Sequence, residues 1–190
     1  IRHGGGINVY SRSIVEIRNC SFTGNRASIH GGSVYIGGDS KGTFLDSTFE
    51  HDYAMNGGSI HCDLRSYCRI KDGVFRNNTG HYSGGAIMAT SDSLVEINDT
   101  FFEQNKANYG GALHGEYGSY ITMHGCTFSK ASSNYAGGAI LLSGSANVHI
   151  HTYMLLHIHT PHIHLHFHIC IYICIYICVY IINQVVQEVV

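Results

Sequence analysis

The sequence predicts an all-β fold: a right-handed single-stranded parallel β-helix, or solenoid, of about 5–6 coils with 26–27 residues per coil. Two observations predict it. A Gly-Gly pair and a phenylalanine recur on one shared beat, and the residues between them alternate apolar and polar with period two.

The glycine pair is followed by a small residue and an aliphatic one: Gly31-Gly32-Ser33-Val34, Gly57-Gly58-Ser59-Ile60, Gly84-Gly85-Ala86-Ile87, Gly110-Gly111-Ala112-Leu113 and Gly137-Gly138-Ala139-Ile140. A partial first copy stands at Gly4-Gly5-Gly6-Ile7, and the first glycines are 27, 26, 27, 26 and 27 residues apart. Phe22, Phe49, Phe75, Phe102 and Phe128 keep the same beat. Each Gly-Gly leads to the next Phe by 18 residues, whereas the return takes 8 or 9, so length variation is confined to one segment. A segment whose side chains stack on neighbouring coils cannot gain a residue without turning its inward set outward, while an exposed loop can. Each coil is therefore expected to have a locked part and one adjustable corner.

Within the locked part, Ile17, Phe44, Ile70, Ile97 and Met123 precede each Phe by five, with Val15, Gly42, Cys68, Val95 and Ile121 two further back. After Gly-Gly come Val34/Ile36, Ile60/Cys62, Ile87/Ala89, Leu113/Gly115 and Ile140/Leu142. These columns should point inward, each coil rising about 4.8 Å over the last. The intervening column Glu16, Thr43, Arg69, Glu96 and Thr122 should face water, with Arg69 beside Glu96 as a weak surface pair. A helical reading fails because no sustained i, i+3, i+4, i+7 stripe exists and each repeated glycine would cost a helix about 1 kcal/mol.

Composition agrees. The chain has 190 residues, 23 Gly and one Pro, and 11 basic against 13 acidic residues give a net charge of −2 with no block of either sign. Nothing there suits nucleic acid or an anionic membrane. The chain starts at Ile1 and reads as an internal piece of something longer.

Pairing Gly-Gly-Ala-Ile with Phe-x-x-Asn, as in Phe22-Thr23-Gly24-Asn25 and Phe102-Glu103-Gln104-Asn105, resembles the repeat of the polymorphic outer membrane proteins, a β-helix family of the pectin-lyase-like fold. The resemblance covers residues 4 to about 150. It implies a surface-exposed module of the adhesin kind.

Several columns could carry function. Asn25, Asp52, Asn78 and Asn105, three residues after each Phe, form either a row of ligand hydrogen-bonders or, as preferred here, a corner ladder that satisfies backbone groups. Asn19, Asp46, Asp72, Asp99 and Gly125 stand three before the Phe. Three stacked carboxylates suit Ca²⁺, and turn capping is the competing and favoured reading, so calcium is carried only as a weak cofactor candidate at Asp46, Asp72 and Asp99. Charged residues such as Glu50, Asp63, Arg65, Lys71, Arg76, Glu103 and Lys106 scatter rather than cluster, and no nucleophile motif or phosphate loop is present, so the chain is not expected to be an enzyme. Tyr53, Tyr82, Tyr109 and Tyr135 lie in or near the adjustable corner and offer an aromatic binding face.

The body cysteines Cys20, Cys62, Cys68 and Cys126 all fall at inward positions. Cys20 and Cys126 are four coils apart and cannot bridge; Cys62 and Cys68 flank one turn, and either pair or stay as buried thiols. Sequons occur at Asn19-Cys20-Ser21, Asn77-Asn78-Thr79 and Asn98-Asp99-Thr100, and matter only in a protein secreted by a eukaryote.

The repeat domain is placed at residues 1–156, with Val148, Ile150 and Leu155 opening a sixth coil. Residues 157–190 form a low-complexity tail of alternating His and aliphatic residues, then Ile-Cys-Ile-Tyr copies holding Cys170, Cys174 and Cys178. This composition matches a translated dinucleotide repeat rather than a folded domain, and no function is assigned to it.

The expected function is a non-catalytic extracellular or cell-surface module that binds protein or glycan partners or mediates adhesion. Membrane contact is expected only through regions outside this chain. The alternatives are a polysaccharide lyase or hydrolase and a structural spacer in a larger surface protein.

Overall fold

The computed structural model describes residues 1–151 and, beyond them, the backbone of two strands, Met154–Thr160 and Ile163–Ile169. Residues 170–190, with Cys170, Cys174 and Cys178, lie outside the described residues. Among the described residues there are strands and turns and no helix. The expected winding is present: successive coils stack parallel strands into three sheets.

The first sheet stacks the strands that follow Gly-Gly: Ile7–Val9, Val34–Ile36, Ile60–Cys62, Ile87–Ala89, Leu113–Gly115 and Ile140–Leu142. The second stacks Ile14–Arg18, Lys41–Leu45, Tyr67–Lys71, Leu94–Asn98, Tyr120–His124 and Asn147–His151. In the third, a first limb carries the phenylalanines: Ser21–Thr23, Thr48–Glu50, Val74–Arg76 and Phe101–Glu103, continuing into Thr127–Ala136.

Register is strict. Phe22 pairs with Phe49, Phe49 with Phe75, Phe75 with Phe102, and Phe102 with Phe128. Their rings form one parallel file with centroids 4.8, 4.7, 5.0 and 4.6 Å apart and planes tilted by no more than 12°. Phe49, Phe75, Phe102 and Phe128 are fully buried. Around them the columns headed by Ile17, Val34 and Ile36 complete a single apolar core. Each buried phenylalanine contributes on the order of 1.5–3 kcal/mol, so the file supports every coil it passes through.

The two glycines of each pair have different reasons. The first, at Gly31, Gly57, Gly84, Gly110 and Gly137, has φ between +59° and +64°, the left-handed region that favours glycine. The second faces the next coil at a distance that excludes any side chain: a Cβ on Gly85 would sit 1.9 Å from the carbonyl oxygen of Gly111, and one on Gly58 would sit 2.1 Å from that of Gly85. Gly-Gly is thus a place where no side chain fits between successive coils.

Between the first and second sheets every coil turns through two consecutive left-handed residues. These are Ser11-Arg12, Gly38-Asp39, Leu64-Arg65, Ser91-Asp92, Tyr117-Gly118 and Gly144-Ser145. In Asp63–Ser66 the Ser66 amide donates to the Asp63 carbonyl at 3.2 Å, the signature of a type I′ turn. Leu64 and Arg65 are poor residues for this conformation. Cys62 and Cys68, both fully buried, are disulfide-bonded across that turn with their Cα atoms 6.4 Å apart, which resolves the alternative left open for this pair.

Four expectations need correction. The segment from Phe to Gly-Gly is not a plain loop; it forms a second limb of the third sheet from Tyr53–Asn56, Thr79–Ser83 and Lys106–Tyr109 to Thr127–Ala136. The 26- or 27-residue alternation is absorbed there as register shifts, between Gly80 and Ser83 and between Ala107 and Tyr109, since a bulge admits one residue without disturbing either flank. Cys20 is exposed rather than inward-facing in a closed core, because its coil has no described coil beneath it, whereas Cys126 in the same column is buried. Arg69 forms no described ion pair with Glu96; the Tyr67 hydroxyl donates to Glu96 instead. In the sixth coil Val148 and Ile150 pair with Ile121 and Met123 as expected, but the partner of Phe128 is Leu156, not Leu155. One more residue separates Ile150 from that position than separates Met123 from Phe128.

Gly85→Ala should therefore cost at least about 2 kcal/mol, since the new methyl meets backbone and neither coil can move alone. Gly24→Ala, at φ +67° with open space where its Cβ would stand, should cost only about 1 kcal/mol. Urea denaturation of the two variants beside the parent chain measures the difference.

Candidate functional site

The bulged limb of the third sheet carries a file of exposed aromatic residues, one over the next. Tyr82 and Tyr135 are 52% and 66% exposed, and half-buried Tyr109 lies between them, with ring centroids 5.2 and 5.3 Å away. The file exists because the shift before Ser83 turns Tyr82 outward, and coil spacing then brings one tyrosine over the next. Asn134 Nδ2 donates to Asn108 Oδ1 at 2.7 Å on the same limb, placing polar amides beside the rings. Such an aromatic strip with polar edges can stack on flat apolar faces and hydrogen-bond around them. Tyr53 does not join this file: it is half-buried, with Arg26 5.6 Å over its ring and His81 at 6.5 Å.

The asparagine ladder is spent internally. Asn78 Nδ2 donates to the carbonyl of Phe49 at 2.9 Å and to Asn105 Oδ1 at 3.1 Å, and Asn105 Nδ2 donates to the carbonyl of Phe75 at 3.0 Å. Asn25 donates from its amide nitrogen to Asp52 Oδ1 at 2.9 Å, and the Ser33 hydroxyl donates to Asp52 Oδ2 at 2.6 Å. Asp52, Asn78 and Asn105 are buried. Burial pushes the Asp52 carboxyl above its ordinary range, and the hydrogen bonds from Ser33 and Asn25 partly offset this. No side chain of the ladder is left to reach a ligand.

Asp46, Asp72 and Asp99 share one column with Asn19 and Gly125, all left-handed with φ between 48° and 63°. Their amides donate to the carbonyls of Lys71, Asn98 and His124 on the next coil, so this column is the corner where the second sheet turns into the third. The carboxylates are exposed; Lys71 Nζ lies 3.8 Å from Asp72 and His124 Nδ1 lies 3.9 Å from Asp99. Among the described residues no three His, Cys, Asp or Glu side chains converge as a metal site.

Several charged groups pair with a partner on a neighbouring coil. Arg76 bridges Glu50 at 3.3 Å and Glu103 at 3.2 Å, and Arg65 grips Asp39 with two hydrogen bonds of 3.0 and 3.1 Å. Exposed pairs like these contribute at most about 1 kcal/mol each.

One column that the sequence reading passed over is buried on the outer face of the first sheet. Tyr35, His61, Met88 and His114 pair in register and are 2–6% exposed. They fill the crook between the first sheet and the Gly-Gly corner. At one end His30 packs edge-on to His61 at 4.3 Å and stacks on His3 at 5.0 Å, while the Tyr35 hydroxyl donates to Asp63 at 3.0 Å. A signal did exist: Tyr35, His61, Met88, His114 and Leu141 are large and never Asp, Glu, Lys or Arg, unlike the outward column of the second sheet. Burial depresses the basicity of these imidazoles. His61 is held well below its ordinary value, His30 is lowered by burial and by neighbouring His3, and His114 falls to about 4.

Three parallel sheets wound coil on coil, with one exposed aromatic file and otherwise internally satisfied polar ladders, define a parallel β-solenoid. The family model described as a right-handed β-helix region matches residues 5–153, and the chain belongs to that family. It is similar to two proteins of Dictyostelium discoideum. Metabotropic glutamate receptor-like protein R is 36% identical over 102 residues, which is 54% of this chain and 6% of that protein. Metabotropic glutamate receptor-like protein Q is 28% identical over 113 residues, 60% of this chain and 9% of that protein. The chain thus spans less than a tenth of the length of either. No solved structure matches it.

The histidine column makes stability pH-dependent with a definite sign. His114 binds its proton less readily when folded, near 4, than when unfolded, near 6.5, so the unfolded state takes up more protons as pH falls and stability is lost across that window. His114→Met, matching Met88 one coil away, should leave stability at pH 7.5 nearly unchanged and recover on the order of 1–3 kcal/mol at pH 4.5. Thermal unfolding of both chains at the two pH values checks this.

Proposed function

We propose that the chain is a non-catalytic binding module of an extracellular or cell-surface protein, which engages protein or glycan partners, adhesive contacts included, through the tyrosine file of its bulged limb. The observation that carries this reading is the stacked, exposed set Tyr82, Tyr109 and Tyr135 beside Asn108 and Asn134, on the segment whose geometry varies between coils. Large aromatic residues on a rigid support favour binding because little side-chain entropy is lost. Surface placement is supported by the receptor-like names of the two relatives and by the Cys62–Cys68 disulfide, a bond that persists in oxidising compartments. The Gly-Gly-Ala-Ile and Phe-x-x-Asn pairing supports kinship with surface adhesins in particular. Absence of catalysis accords with the scatter of the charged residues along the sequence and the lack of a nucleophile motif.

Binding of the labelled chain to immobilised glycans and extracellular-matrix proteins tests the reading. The parent should bind at least one class, and Tyr82→Ser with Tyr135→Ser should weaken that binding at least tenfold while the unfolding temperature stays within a few degrees. Equal binding by parent and variant would remove the tyrosine file from the account. Release of new reducing ends or unsaturated sugars from a polysaccharide would make the chain an enzyme.

A further inference from the structure

We propose that Asn77 is a site of N-linked glycosylation whenever this chain passes through a eukaryotic secretory pathway. The inference rests on the extracellular reading above for its occurrence in the native setting, but not for the competence of the site.

Three sequons are present, and the structure separates them. Asn98 is half-exposed at the end of a strand of the second sheet, between Lys71 and His124 in strict register. The Thr100 hydroxyl of that sequon is buried and donates to the carbonyl of Asn98 at 2.8 Å. A glycan there would have to stand between the outward side chains of Lys71 and His124. Asn19 is exposed at a corner, but its sequon runs through exposed Cys20, whose thiol lies 3.2 Å from the carbonyl of Arg18.

Asn77 differs from Asn98 in being exposed at a corner, and from Asn19 in a sequon that runs through Asn78 rather than a cysteine. It is the left-handed residue of the corner between the two limbs of the third sheet, exposed, at φ 53°. Its column on the other coils holds Gly24, His51, Gln104 and Lys130, every one left-handed and exposed. The residues before and after it have their own duties: Arg76 pairs with Glu50 and Glu103, and Asn78 is locked in the buried ladder. The Asn77 amide nitrogen of the backbone donates to the Glu103 carbonyl at 3.0 Å, which fixes the corner, and no described hydrogen bond holds its side-chain carboxamide. A substituent on Nδ2 therefore projects into solvent without breaking a contact.

The chemistry is a glycosyl transfer from a lipid-pyrophosphate-linked oligosaccharide. Nδ2 of Asn77 forms a bond to the anomeric carbon of the first sugar, the bond from that carbon to the pyrophosphate oxygen breaks, and the lipid pyrophosphate leaves with the electron pair. One Nδ2 proton passes to base. The step precedes coil closure, because Asn78 and Thr79 are drawn into the sheet on folding; the folded coil then has only to tolerate the product, which an exposed corner does.

The test uses the full chain behind a cleavable secretory leader in eukaryotic cells. Glycosidase release in heavy-oxygen water, followed by peptide mapping of both secreted and retained chain, reads the occupancy of each sequon. Asn77 should be converted to labelled Asp in most molecules, and Asn77→Gln should abolish that label without harming the fold, since Gln104 stands at the same corner one coil away. Thr79→Ser should keep the glycan and Thr79→Ala should remove it. Asn77 left unmodified in most molecules of both pools would overturn the proposal. Where the native gene sends the protein is read separately by tagging the unaltered gene, so failure of the extracellular reading and failure of the site give different results.

Discussion

The structure depends on one constraint: equivalent residues of successive coils lie directly over one another at strand spacing. The phenylalanine file shows it most simply, with four successive ring separations between 4.6 and 5.0 Å. Everything else is arranged so that this spacing is possible at every corner. Gly-Gly removes side chains where backbones approach, the asparagine ladder passes hydrogen bonds from one coil to the next, and consecutive left-handed residues turn the first sheet into the second. Because each device contacts only neighbouring coils, stability is a sum of near-neighbour terms.

Much of this was legible in the sequence because a locked register leaves a fixed period. The Phe and Gly-Gly beats and the inward columns could be read from spacing alone, and spacing put Asn25, Asp52, Asn78 and Asn105 in one column without fixing what they do. What could not be read has physical causes. The limb from Phe to Gly-Gly is polar and varies by one residue, so its period-two signal is broken by the bulge that makes it tolerable. The buried column of Tyr35, His61, Met88 and His114 mixes aromatic, basic and thioether groups, and no single class of residue marks it. The left-handed turn at Leu64 and Arg65 runs against local preference, and the disulfide spans it.

The candidate site follows from the same division of labour. Where register is locked, polar groups are consumed by neighbouring coils and offer little to a ligand. Where a residue can be inserted, the chain is free to expose Tyr82 and Tyr135 on a support that is itself rigid. Sequence spacing groups Tyr53 with these residues, but its position at the start of the limb, beneath Arg26, takes it out of the file. Binding character in such a fold is set by which side chains successive bulges present, and the core can stay constant while they change.

The most direct test of stacking is a double-mutant cycle on the phenylalanine file. Phe75→Leu and Phe102→Leu, made singly and together, should show a coupling of about 0.5–1.5 kcal/mol by urea denaturation, because each ring lies against the other. The pair Phe22→Leu and Phe102→Leu, three coils apart, should be additive within about 0.5 kcal/mol. Additivity for the adjacent pair would contradict the account.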